Sequence, residues 1–373
     1  VLRNTDLSES AVGINPYSPE WDKLYKHMKP GFFDGVFATD SGSFDMRIAS
    51  FMLMTVLLGN IDIAITMGYT SDDIRAMHSL SNWMLATPTI IDGELIVMYN
   101  RMISGIIGTS VIDGQVLSLI QRCCFHELYP AVKDFRSAVS MITFGDDNFD
   151  KVKFPYQKFN RVTLGDYCAK YGMVLTSPDK SEVETKWDSM DDVTFLKRGF
   201  KYSKEHDSVV GPLDMSSIIK PLHIGVESKS LSMDELLVEH MTRALIEMSF
   251  HGRKEWERLR DVLIAEPTGN FDKTPVRNWK YEDFVTAWKL RYCAGATGDN
   301  LANVDNIYGS RIVSVEPASS DATVAAGEVD KVEVADQTMQ SGAPLITESR
   351  VATRTGVDSA RGAENVDLGK FLE

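Results

Sequence analysis

Two carboxylates stand side by side in MITFGDDNFD, residues 141–150, where Asp146 and Asp147 follow an apolar run that begins near Ala138. Gly-Asp and Asp-Asn pairs are ordinary turn chemistry, so one reading is a solvated hairpin tip. The other is a metal site, which needs further acids from elsewhere in the chain. Upstream, Asp40 closes the apolar stretch GVFAT, and Asp45 follows it in DSGSFD. Carboxylates delivered by two neighbouring strands give Mg²⁺ hard oxygen ligands and leave positions for water and substrate phosphates. Two such ions activate a hydroxyl nucleophile and neutralise a pyrophosphate leaving group. Between these acids lies SGIIGTSVID, where Ser104 and Gly105 are expected in a mobile loop, Gly108 is a second hinge and Thr109 starts a helix. Hydroxyl and backbone N–H groups would converge at that helix start. The plain alternative is a loop that only caps a helix.

The elements that must position these groups can be read from periodicity and turn residues. GVFAT, from Gly35, reads as a short buried strand ending at Asp40, and MRIASFMLMTVLL after Asp45 as helix. Ser71, followed by Asp72 and Asp73, starts another helix; TPTIIDGELIVMY is a hairpin turning at Asp92-Gly93. A long helix is expected over Thr109–His126, a strand pair around Gly145, a helix over Leu164–Tyr171 and a hairpin in VTFLKRGFKYS. Beyond Gly211-Pro212 the pattern turns helical, with a Ser232/Glu235 capping box, Gly252 as a helix stop and a last helix over Tyr281–Tyr292.

Composition bounds the class. The chain has 373 residues, 43% hydrophobic and 25% charged, enough for two or three globular domains. Its net charge of -14 argues against a surface that coats nucleic acid generally, so any RNA contact must be local. Four cysteines without CxxC spacing suggest neither a disulfide framework nor a zinc site and suit a reducing cytosol. FMLMTVLLGNIDIAITMGY, the most apolar stretch, is interrupted by Gly59, Asn60 and Asp62 and reads as a buried helix; no integral membrane segment is expected. Val1 in first place, with no leader after it, suggests a segment of something longer. From Glu316 onward aromatic residues vanish until Phe371, and eleven acids face five bases, the composition of a linker or extended arm.

Taken in order, DSGSFD, SGIIGTSVID and FGDD resemble motifs A, B and C of the viral RNA-dependent RNA polymerases, and YGMVLTSPDKS and VTFLKRGF resemble motifs D and E of the picornavirus-like group. The resemblance covers Asp40 to Phe200. It implies an α+β fold, a right-hand polymerase with a palm of antiparallel sheet on helices, partial fingers and a helical thumb. The implied division is residues 1–30 as a fingers remnant, 31–212 as palm with a fingers insertion near 60–100, and 213–310 as thumb. An acidic linker would follow over 311–340. The implied activity is RNA-templated addition of ribonucleotides to an RNA 3′ end by two Mg²⁺ (or Mn²⁺) ions, during viral genome replication.

Carried over by residue, Asp40 and Asp146 would hold the metals, with Asp147 assisting. Asp45 would bind the ribose 2′-OH of the incoming nucleotide, supported by Thr109 and the residue at 113. Ser104 and Gly105 would flank the nascent pair, Lys180 in SPDKS would protonate pyrophosphate as general acid, and Lys197 and Arg198 would grip the primer backbone. Partners would be template and primer RNA, nucleoside triphosphates and a viral protease; the setting would be host cytoplasm, at membrane-associated replication complexes. Two positions depart from the family: Asp113 stands where it usually has Asn, which puts sugar discrimination in doubt, and Phe144 where picornaviral enzymes have Tyr. Little precedes Asp40 here, whereas the family has most of its fingers there; the chain alone is expected to be inactive.

In the tail, Gln340 before Ser341-Gly342 resembles the junctions cut by the chymotrypsin-like cysteine proteases of these viruses, and ENVDLGKFLE resembles the start of a picorna-like capsid protein. Residues 341–373 would then begin a capsid protein, a polymerase-then-capsid order found in marnavirus-like members. Two other classes compete: a reverse transcriptase, which usually lacks the SG-x-x-x-T segment, and a catalytically inactive palm acting as a structural segment of a polyprotein.

Overall fold

The computed structural model describes residues 9–99, 101–102, 105–106, 108–177, 185–223, 230–265, 274–293 and 307. Helix α1 (Glu20–Met28) buries Trp21, Leu24 and Met28, and its acids lie in the first turn and its bases in the last, as the helix dipole favours. Strand β1 (Gly35–Ser41) carries Asp40 one residue from its end. The chain then reverses through Gly42 and Ser43, the latter at φ +54°, into the one-turn helix α2 (Phe44–Arg47). The helix expected to run on from Asp45 is broken here, because Ile48 and Ala49 are extended and α3 (Ser50–Thr66) begins afresh.

Helix α4 (Ser71–Leu85) opens on a capping box between Thr70 and Asp73. Strands β2 (Ala86–Ile91) and β3 (Glu94–Tyr99) form the expected hairpin, with Asp92 and Gly93 both left-handed as a type I′ turn requires. Next come α5 (Thr109–Leu128), α6 (Phe135–Ala138), β4 (Val139–Phe144), β5 (Asp147–Val152), α7 (Arg161–Ala169) and β6 (Leu175–Thr176). The central sheet is antiparallel in the order β4-β5-β1-β6. Residues 9–11 extend it beside β4, where Thr143 N–H donates to the Glu9 carbonyl and Ala11 N–H to the Thr143 carbonyl, both at 2.8 Å.

Strand alternation sorts the sheet into two faces. Phe37, Met141 and Val152 join the core formed with α5 and α7. Val36, Ala38, Ile142 and Phe149 point the other way, onto Trp21 and Phe195. Strands β7 (Lys201–Ser203) and β8 (Ser208–Val210) make a small hairpin. Helices α8 (Met215–His223), α9 (Met233–Ser249), α10 (Arg253–Ala265), α11 (Thr274–Asn278) and α12 (Tyr281–Tyr292) then close around their own core of Leu245, Met248, Trp256, Leu259 and Phe284. Ser232 and Glu235 form the expected capping box.

The apolar stretch from Phe51 is only half buried, which corrects the expectation of a buried helix. Met52, Leu53, Leu57 and Ile61 line the inward stripe of α3, while Phe51, Leu58, Ile63 and Ile65 are exposed. Trp83 of α4 and Ile90, Leu95 and Tyr99 of the β2–β3 hairpin add to this exposed apolar area. Among the described residues no helix is long and apolar enough to cross a membrane.

Candidate active site

The β4–β5 hairpin turns on Gly145 and Asp146, with Phe144 paired to Asp147. Gly145 has φ +63° at the first turn position, where a type II′ hairpin needs glycine. Its N–H donates to the Ser110 carbonyl at 3.1 Å, which ties the hairpin tip to the first turn of α5. One turn further along α5, a Cβ added at Gly114 would lie 2.5 Å from Thr143 Oγ1, so glycine is what lets the helix approach β4 this closely.

On the neighbouring strand, Thr39 pairs with Asn148, and the next step of that register sets Asp40 against Asp147. By alternation both lie on the face of Ala38 and Phe149, and Asp146 sits in the turn beside them. On the other edge of β1, Asp40 pairs with Thr176, whose Oγ1 donates to the Asp40 carbonyl at 3.3 Å. The strand end and hairpin tip that sequence reasoning needed to meet are therefore neighbours.

The start of α5 completes the site. Gly108, at φ +86°, precedes it, and Thr109 directs both its N–H and its hydroxyl to the Ile106 carbonyl, at 3.1 and 2.7 Å. Met102 N–H donates to the Asp45 carbonyl at 2.8 Å, joining the segment before α5 to α2. Asp113 is 7% exposed, and its Oδ1 has no hydrogen-bond partner among the described residues. Burial first, then the charges of Asp146 and Asp45, push its carboxyl up to about 7. Asp45, Asp113 and Asp146, from three separate stretches of chain, thus share one electrostatic environment.

The donor set suits a divalent cation. Backbone register sets Asp40 beside Asp147 and the turn that carries Asp146, and repulsion of the kind that raises the Asp113 carboxyl is what a cation would offset. Among the described residues no three or more His, Cys, Asp or Glu side chains are grouped so that they could hold a metal ion together. Mg²⁺ needs none, since it is usually held by one or two carboxylates with water and substrate phosphates completing its shell.

The family model described as viral RNA-dependent RNA polymerase matches residues 2–265. The chain belongs to that family. Among its relatives are the replicase polyprotein of Drosophila C virus, 25% identical over 71% of this chain and 16% of the polyprotein, and the RNA1 polyprotein of Grapevine fanleaf virus, 31% identical over 74% of this chain and 12% of the polyprotein. Among solved structures, a Sicinivirus 3Dpol RNA dependent RNA polymerase matches with TM-score 0.60 and 15% identity, covering 78% of this chain and 57% of that one. The α+β right-hand fold is thereby shown; the chain spans a small part of the polyproteins and over half of the solved polymerase.

Gly105, at φ +93°, has open space around it, while Ser104, Lys180, Gln340 and Ser341 lie outside the described residues. Leu196 and Lys197 form a tight turn, both left-handed at φ +55° and +58°, and Lys197 is exposed at its tip. Arg198, expected on the primer backbone, is instead buried. Its Nη1 donates to Glu247 Oε2 at 2.8 Å and its Nη2 to Oε1 at 2.7 Å, while Nη1 also reaches the Gly211 carbonyl and the guanidinium covers the Tyr17 ring. A bidentate pair so enclosed cannot also hold phosphate, so Arg198 ties the turn at Leu196 and Lys197 to α9.

Sequence reasoning missed Glu9, whose carboxylate takes Arg122 at 2.7 and 2.8 Å and Arg136 at 2.8 Å just behind β4. Nothing in the local sequence signals that contact.

Proposed function

We propose that this chain carries the nucleotidyl-transfer centre of a viral RNA polymerase, which adds ribonucleotides to an RNA 3′ end on an RNA template, within a replicase polyprotein. The observation that carries this reading is the meeting of β1 and the α2 turn after it with the β4–β5 turn and the start of α5, which sets Asp113 near both Asp45 and Asp146. In this reading Asp40, Asp146 and Asp147 hold two divalent ions, Mg²⁺ or Mn²⁺. When bound, these supply Lewis-acid activation of the primer hydroxyl and offset the triphosphate charge.

The chain's own residues do the rest. Asp45 accepts from the ribose 2′-OH, and Thr109, its hydroxyl fixed on the Ile106 carbonyl, holds the start of α5 alongside. Asp113 replaces the family's amide: its carboxyl accepts as the amide oxygen does, and it donates only when protonated. Ser104 and Gly105 flank the nascent pair, Lys180 donates a proton to pyrophosphate, and Lys197 meets the primer backbone. Template and primer RNA, nucleoside triphosphates and a processing protease are the partners, at membrane-associated replication complexes in host cytoplasm. Residues 1–30, 31–212 and 213–310 are assigned to fingers remnant, palm and thumb, with 311–340 a linker and 341–373 the start of a capsid protein released by cleavage at Gln340-Ser341.

Primer extension by the full-length polymerase containing this chain tests the reading. Asp40→Asn and Asp146→Asn should each lower the rate by several orders of magnitude, because metal-centred charge stabilisation is a large part of the barrier reduction. Near-normal extension by either variant would reject it.

A further inference from the structure

An acid lies where the sheet should be apolar. Asp150 is paired with Phe37 on one side and Met141 on the other, in the middle of the face packed on α5 and α7, and is 0% exposed. Two residues on, Val152 occupies the same face in the ordinary way. Asp150 Oδ2 accepts from Gln121 Nε2 of α5 at 3.1 Å and from Asn148 Nδ2 on its own strand. Asn148 Oδ1 in turn accepts from Thr39 Oγ1 of β1. All four residues are buried.

We propose that Asp150 is a positioning residue of the polymerase: through this hydrogen-bonded chain it fixes β1 and β5, next to Asp40 and Asp147, in register with α5, which carries Thr109 and Asp113. The proposal rests on the reading of Asp40, Asp146 and Asp147 as the metal carboxylates. Thr39 immediately precedes Asp40, and Asn148 immediately follows Asp147, so the chain reaches both strands one residue from the acids. A one-residue slip of either strand would turn those acids to the opposite face, and apolar packing alone resists such a slip less specifically than a buried polar contact.

The surroundings of Asp150 favour its protonated form. Burial holds its carboxyl well above the usual range, and the charge of Glu9 adds to the shift, while the bonds from Gln121 and Asn148 only partly oppose it. Its Oδ1 and the Gln121 Oε1 both lack a partner among the described residues, and a proton on Oδ1 makes that oxygen a donor. Asparagine is accordingly a close substitute at position 150, and alanine is not.

The test uses the full-length polymerase, with kcat and KM for nucleotide measured under conditions where circular dichroism shows each variant folded. Asp150→Ala should lower kcat by about tenfold to a hundredfold, the scale of a small misplacement of reacting groups. KM should change little, and Mn²⁺ binding followed by electron paramagnetic resonance should weaken in parallel. Asp150→Asn should keep both near wild type. If Asp150→Ala does not fold, Thr39→Val and Gln121→Met, which cut the same chain at its two ends, should show the same pattern. Unchanged kcat in these variants, a loss that only follows the unfolded fraction, or an Asp150→Asn variant as impaired as Asp150→Ala would overturn the proposal. Asp146→Asn serves as control: an active control rejects the metal-site reading itself, whereas an inactive control beside a normal Asp150→Ala rejects only the positioning role.

Discussion

Gly114 of α5 and Thr143 of β4 are packed so closely that the missing Cβ of the first would sit 2.5 Å from Oγ1 of the second. Thr143 is in turn fixed to the Glu9 carbonyl through its N–H and its hydroxyl, so it cannot easily give way. Gly114→Ala should therefore cost about 1–3 kcal/mol by overpacking and move the hairpin tip relative to Asp113. Thermal unfolding of the variant checks the first effect, and loss of primer extension by the folded full-length enzyme checks the second. Thr143→Ala in the same chain should restore part of the stability.

Arg198 and Lys197 are adjacent in sequence but have opposite roles. Replacing Glu247 by Gln removes one partner of a buried pair and should destabilise the fold by about 3–5 kcal/mol, read from denaturant unfolding. Lys197→Ala should leave stability within about 0.5 kcal/mol. It should weaken RNA binding and lower the salt slope of binding by about one. RNA affinity lost with Arg198 at unchanged stability would contradict the assignment.

Asp113 makes stability depend on pH in a definite direction. Its folded-state pKa of about 7 lies above the ordinary 3.8, so between these values the folded chain binds more protons than the unfolded one. Stability from this group is full below about pH 4 and is lost as pH rises towards 7. Asp113→Asn should remove that slope, gaining on the order of 1–3 kcal/mol over wild type at pH 8 and little at pH 4, in metal-free buffer. Parallel pH profiles for the two proteins would show that Asp113 is not held in this way.

The exposed apolar area on α3, α4 and the β2–β3 hairpin suggests where further polymerase structure packs. The chain covers 57% of the solved polymerase it matches. Expressed alone, it should give no templated synthesis and should bind a hydrophobic dye such as ANS; the full-length polymerase should bind less dye per molecule and extend primers. Templated synthesis by the isolated chain would refute this.

Much of the site was legible because its chemistry demands particular residue types in a fixed order. Gly145 with its two acids, the strand that carries Asp40 near its end and the helix opening at Thr109 all follow from local patterns, and the strand runs only one residue past the expected Asp40. What could not be read depends on partners far along the chain. Arg198 is expected on the primer backbone, but Glu247, 49 residues later, takes its guanidinium. Glu9 meets arginines 113 and 127 residues away. Asp150 shows its inward face only once β5 is registered against both β1 and β4. The outward side of α3 misled for a related reason, since hydrophobicity gives the tendency to be buried but not the surface that buries it.

The most direct measurement is the anomalous scattering of Mn²⁺ in crystals of the full-length polymerase bound to RNA and a non-reactive nucleotide. One manganese peak should be touched by carboxylate oxygens of both Asp40 and Asp146 at about 2.1 Å, with triphosphate oxygens completing its shell. Manganese bound elsewhere, or Asp40 and Asp146 turned to different ions with no shared contact, would contradict the account.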